Sequence, residues 1–133
     1  MRSALKPFHR PALWLSLWIG AIVTVIIVCL IPPPPLELPS GSDKIEHFLA
    51  YFLLAAAMIQ IFAVWRWRLA MTIFLIAMGI GIEFAQGTLT TTRTADVQDA
   101  VANTLGVLAG LSVGMTPLRD ALLRFDRHWF RKR

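Results

Sequence analysis

The chain has 133 residues, 56% of them hydrophobic and only 16% charged, which leaves room for one domain and is too apolar for an ordinary soluble one. A net charge of +5 would suit nucleic acid only if the basic residues formed a face on a soluble module. They fall instead at the ends of apolar runs, so nucleic acid is excluded as a partner and a membrane protein remains.

The first apolar run, Ala12 to Ile31, is twenty residues without a charge; at about 1.5 Å per residue it spans the roughly 30 Å hydrocarbon core. Trp14 and Trp18 stand near its start, as interfacial anchors do. Arg2, Lys6 and Arg10 ahead of it resemble the basic region of a signal peptide. The run is longer than the ~7–15 residues of a secretory core and no A-x-A site follows, so it is expected to be a retained span. The single cysteine, Cys29, lies inside it, which leaves no disulfide within the chain and suggests a small buried apolar role. The run Pro32-Pro33-Pro34-Pro35-Leu36-Glu37-Leu38-Pro39 cannot continue a helix and is expected to be a stiff extended spacer.

Ser40-Gly41-Ser42-Asp43 offers turn and capping chemistry, with Asp43 a candidate N-cap. A second span is expected over about 45–64, closed by Trp65-Arg66-Trp67-Arg68, a third over about 69–86, and a fourth over about 96–115. The basic stretch 117–133 has Leu118, Leu122, Phe125 and Trp129 within about 60° of one another on a helical wheel. It is expected to form a short amphipathic helix lying on an anionic membrane surface, the alternative being a solvated basic end that only fixes topology. The expected fold is thus all-α: an integral membrane four-helix bundle in residues 1–116, followed by an interfacial tail in 117–133.

Orientation follows from Lys and Arg. Three precede the first span, two lie between the second and third, and six follow Pro117, while Lys44 and Arg93 lie on the other side with six of the eight acids. The positive-inside rule therefore predicts cytoplasmic termini, with membrane lipids as the surroundings.

The polar residues within the spans are what bear on function. Asp96, Asp99 and Asn103 share one arc of the fourth helix, continued by Gly106, Gly110 and Gly114, a small-xxx-small stripe on which two helix backbones approach closely. Asp43, Glu46 and His47 share an arc of the second helix, and Glu83 and Gln86 a face of the third. Lys44 and Glu46 read as solvated interfacial charges, and Arg93 in the third loop as a partner for Asp96 or Asp99. Burying a charge such as Glu83 in a span costs about 2.5–3.5 kcal/mol on the lenient insertion scale. Asp43, His47, Glu83, Gln86, Arg93, Asp96, Asp99 and Asn103 are therefore a candidate polar pocket. His47 with Glu83, Asp96 and Asp99 has donors suited to a divalent metal; no cofactor is specified by any motif.

The segments Asp43-Lys44-x-x-His47-Phe48-x-x-Tyr51, Glu83-x-x-Gln86 and Arg93-x-x-Asp96-x-x-Asp99-x-x-x-Asn103-x-x-Gly106-x-x-x-Gly110 resemble the VanZ-like family of bacterial membrane proteins, whose namesake is associated with resistance to the glycopeptide antibiotic teicoplanin. The resemblance implies a multi-span protein acting at the cell envelope. Two function classes stay open on the residues. One is a binding protein whose pocket takes an envelope lipid or a glycopeptide; the other is an enzyme using Glu83 or Asp99 as general base with Arg93 holding an anionic headgroup. A small proton-coupled carrier is a weaker third, because the charges gather at one face. The absence of an H-E-x-x-H or G-x-S-x-G spacing favours binding.

Overall fold

The computed structural model describes residues 3–32, 39, 41–91 and 94–131. The proline-rich spacer expected from 32 to 39 lies almost wholly outside them, as does Arg93. Among the described residues the chain is all-helical: α1 (Pro11–Leu30), α2 (Ser42–Ile61), α3 (Trp65–Leu89), α4 (Val97–Leu111) and α5 (Ala121–Trp129), with 3-10 turns at Ser112–Met115 and Pro117–Asp120. Three helices, α1, α2 and α3, are long and apolar enough to cross a membrane. A fourth candidate arises from Val97–Met115 taken with Pro117–Trp129, two pieces bent by 82°. The bend falls at Thr116-Pro117, where proline removes an amide donor and the Thr116 hydroxyl accepts from Leu118 N. The long helices leave large apolar side chains exposed on every outer face, Leu17, Ile27, Leu53, Ile73 and Phe84 among them, as lipid requires and water would penalise.

Two boundaries differ from the sequence expectation. α2 both starts and ends earlier, and Trp65-Arg66-Trp67-Arg68 forms the first turn of α3 rather than the close of α2. The cause is tertiary. Lys6 N donates to Ile61 O and Ala63 N to Ala4 O, each at 2.9 Å, an isolated bridge between Leu5 and Phe62 that draws Phe62–Val64 out of helical conformation. Asp43 is not the N-cap either: Gly41, at φ 86°, holds that position, a left-handed conformation that glycine adopts at little cost.

α2 is the central element and packs most closely on α4. A Cβ on Gly106 would lie 2.3 Å from Phe48 O, and one on Gly110 2.6 Å from Phe52 O, so only glycine permits this approach; at Gly114 the nearest atom, from Ile59, is 3.6 Å away. The core is formed by Tyr51, Leu54, Ala55, Met58 and Ile59 of α2 with Leu75 of α3 and Val107 of α4. Trp18 of α1 joins it. Its indole donates to Leu54 O at 2.9 Å and its ring meets Phe62 edge-on at 5.6 Å, so this tryptophan is buried rather than an interfacial anchor.

The tail is docked and not frayed. Asp126 is fully buried and accepts from His9 N (2.5 Å), Arg10 N (3.3 Å) and Trp14 Nε1 (2.7 Å). Lys6 bonds Asp120 at 2.9 Å and the Arg119 carbonyl, and Gln60 of α2 bonds Leu118 O and Leu122 N. Leu118, Phe125 and Trp129 meanwhile stay exposed. Three of the four residues of the expected apolar stripe are thus exposed, while Leu122 packs against the core and Asp126 anchors α5.

Candidate functional site: a buried histidine between carboxylates

At the end of the molecule away from the tail, the polar arcs of α2, α3 and α4 converge. His47 is buried, and its Nδ1 lies 3.0 Å from Asn103 Oδ1. Glu83 Oε1 is 3.9 Å from Nδ1, and Asp99 Oδ2 is 3.8 Å from Nε2. Four residues from three helices therefore meet, as their shared arcs predicted. Gly79 makes this possible on α3, since a Cβ there would come within 3.0 Å of Asn103 Cβ and 3.3 Å of the Tyr51 ring.

Around this centre runs a second, more open layer. Asp96 is the N-cap of α4, its Oδ1 accepting from Gln98 N at 2.8 Å, while its own amide donates to Glu83 Oε2 at 3.2 Å. Lys44 Nζ reaches Asp96 at 3.0 Å and Asp43 and Asp99 at 3.3 Å each. Lys44, read from the sequence as a solvated charge, is partly exposed and is also the cation that gathers this layer. Its role follows from a register no single helix reveals, one helical turn below His47 and opposite the cap of α4. Gln86 is buried but turned elsewhere, donating to Cys29 O at 2.7 Å and so tying α3 to the end of α1. Arg93, the remaining candidate, lies outside the described residues.

Three buried side-chain atoms have no hydrogen-bond partner among the described residues: Tyr51 Oη, Glu83 Oε1 and Asn103 Nδ2. Tyr51 was singled out in the sequence only as part of the family pattern. It also lines a cavity of about 170 Å³ between α1 and α2, together with Thr24, Val28, Glu46, His47 and Ala50. A polar centre with spare donors and acceptors thus adjoins a largely apolar cleft. Chemically it can accept and donate protons, bind a polar group, or ligate a cation: one donor atom from each of His47, Glu83 and Asp99 lies within 4.8 Å of the others.

Long apolar helices enclosing such a buried polar centre are the mark of a helical membrane protein. The sequence profile of VanZ/LLP1 matches residues 3–118, and the chain belongs to that VanZ-like family. The match takes in α1 and the proline-rich segment as well as the motif-bearing stretch from Asp43 to Gly110. No curated protein and no solved structure matches the chain.

Proposed function

We propose that the protein spans the bacterial cytoplasmic membrane four times, with both termini in the cytoplasm, and that its outward-facing pocket binds the polar group of a cell-envelope component. The observation that carries this reading is the set of unpartnered, buried atoms Tyr51 Oη, Glu83 Oε1 and Asn103 Nδ2 beside the cleft between α1 and α2. Leaving such an atom unmatched costs about 1–3 kcal/mol, and a ligand that offers both donors and acceptors recovers it. The cleft of about 170 Å³ is well below the roughly 300 Å³ at which pockets for drug-sized molecules begin. A headgroup or the end of a larger envelope molecule is therefore the occupant. A link to glycopeptide resistance, which family membership suggests, would run through that component and not through a pocket for the antibiotic itself.

The orientation is supported by both ends of the molecule. The N-terminal segment, the α2–α3 turn and α5 gather at one end through the Lys6, Gln60 and Asp126 contacts, and this end holds most of the Lys and Arg, while the carboxylates cluster at the other. The second reading, catalysis on that component, is favoured by His47 having a carboxylate near each ring nitrogen, at 3.9 and 3.8 Å, an arrangement suited to proton transfer.

Lipids that co-purify with the intact protein, identified by mass spectrometry, test both readings. An envelope lipid enriched with the wild type and lost in Glu83→Gln and Asp99→Asn at equal protein level is the result expected. Conversion of that lipid to a new product by the wild type would move the conclusion to catalysis. The same lipid profile in wild type and variants would return the cluster to a purely structural role. If the residues act as one unit, the double variant should lose little more than either single one.

A further inference from the structure

We infer that His47, Glu83 and Asp99 form a binding site for one divalent transition-metal cation, of the class of Zn²⁺ or Mn²⁺, at the junction of α2, α3 and α4. This does not depend on the headgroup reading. The donor atoms of the three residues lie within 4.8 Å of one another, so movements of a fraction of an ångström to about an ångström bring them to the ~2.0–2.2 Å bond lengths that imidazole nitrogen and carboxylate oxygen adopt on such ions. All three residues are buried, Glu83 at 5% and Asp99 at 8% exposure. Glu83 Oε1 faces the imidazole without a hydrogen-bond partner among the described residues.

Two further features suit a metal site. First, Asn103 Oδ1 stands 3.0 Å from His47 Nδ1. With Nδ1–H donating to it, the ring is held in the tautomer whose Nε2 lone pair points toward Asp99, the outer-shell arrangement by which ligating histidines are oriented; Glu83 Oε1, which stands 3.9 Å from Nδ1, must turn toward the Nε2 side to complete the set. Asn103 is thus a positioning residue, fully buried. Second, the charges balance poorly without a cation. Lys44 reaches Asp99 Oδ1 but, among the described residues, no Lys or Arg bonds Glu83. Two buried carboxylates on one imidazole call for a countercharge, which an ion bound to all three supplies. A nitrogen ligand favours Zn²⁺ or Mn²⁺ over Mg²⁺ and Ca²⁺, which select all-oxygen sites. The alternative acid group, Asp43 with Asp96 and Asp99, is already filled by the Lys44 ammonium.

The test uses the full-length protein in detergent, stripped with chelator and titrated with Mn²⁺ followed by paramagnetic resonance, with Zn²⁺ as competitor. One saturable site per chain is expected, displaced by Zn²⁺. Glu83→Gln and Asp99→Asn should each weaken it at least a hundredfold. Asn103→Leu should weaken it by about 10–100-fold, and Asp43→Asn should leave it within threefold. Helical content by circular dichroism identifies any variant that fails to fold, and the wild-type titration stands without the variants. No saturable site in the wild type would overturn the inference, as would a site that survives Glu83→Gln or is lost in Asp43→Asn, which would put the ion in the outer group. The Mn²⁺ titration and the lipid profile are both read on the wild type, so absence of a saturable ion site there overturns this inference and leaves the lipid result standing, and the two readings fail separately.

Discussion

Asp126 takes the amides of His9 and Arg10 and the indole of Trp14, donors at the start of α1, where the helix dipole places about half a positive charge. Burial opposes its ionisation, but the bonds from Trp14, His9 and Arg10 outweigh burial and hold its carboxyl below the usual carboxylate range. A group with a depressed folded pKa contributes stability that is complete above its unfolded value, about 3.9, and is lost as pH falls through the folded value. Asp126→Asn should therefore destabilise the protein by about 1–3 kcal/mol at neutral pH. It should also flatten the fall in unfolding temperature below about pH 4 that the wild type shows. Thermal unfolding followed by circular dichroism between pH 3 and 7 measures both, and parallel curves would contradict the assignment. None of this was legible in the sequence, where Asp126 is one acid in a basic tail and its three donors lie more than a hundred residues away. His47, Glu83, Asp99 and Asn103 were legible, because an ionisable or amide side chain in an apolar span has few places to go but inward. Lys44 was not, since a lysine at a helix end normally is solvated.

The α2–α4 contact rests on backbone, with the Phe48 and Phe52 carbonyls where side chains of residues 106 and 110 would otherwise stand. Gly106→Ala and Gly110→Ala should each cost about 1–3 kcal/mol of overpacking, read from unfolding in detergent. Gly114→Ala, whose Cβ would make only ordinary contact, should be close to neutral. Because Asn103 and Gly106 share one face of α4, the Gly106 variant should also displace Asn103 from His47. The glycine stripe was readable as spacing, and so was the partner's identity as another helix. Which helix was not readable from the spacing, nor was the looser packing at the third glycine, which lies in the 3-10 turn Ser112–Met115 beyond the end of α4. The start of α3 was misplaced because Trp-Arg-Trp-Arg fits a helix end as well as a helix start and carries no boundary signal, while the break at Phe62–Val64 is imposed by the N-terminal segment pairing with it.

At the scale of the molecule, most of the described Lys and Arg collect at the end where the N-terminal segment meets α5, while Asp43, Glu83, Asp96 and Asp99 collect at the other. A reporter that works only in the cytoplasm should be active when fused after Arg133, and one that works only when exported should be silent there; the reverse would invert the proposed orientation. Truncation after Thr116 should leave insertion intact, since α1 to α4 are whole. It should lower the unfolding temperature through loss of the Lys6–Asp120 pair and the Asp126 bonds, and reduce binding to anionic vesicles at low salt. The Asp126 bonds also impose an order of events on synthesis. His9 and the aspartate that receives its amide are 117 positions apart, and at about 5–20 residues per second the ribosome takes roughly 6–23 s to cover that distance. Throughout that interval the His9 and Arg10 amides and the Trp14 indole lack the carboxylate that receives them in the folded chain. This end of the molecule can close only after Asp126 itself has left the ribosome, long after the segment whose donors it receives.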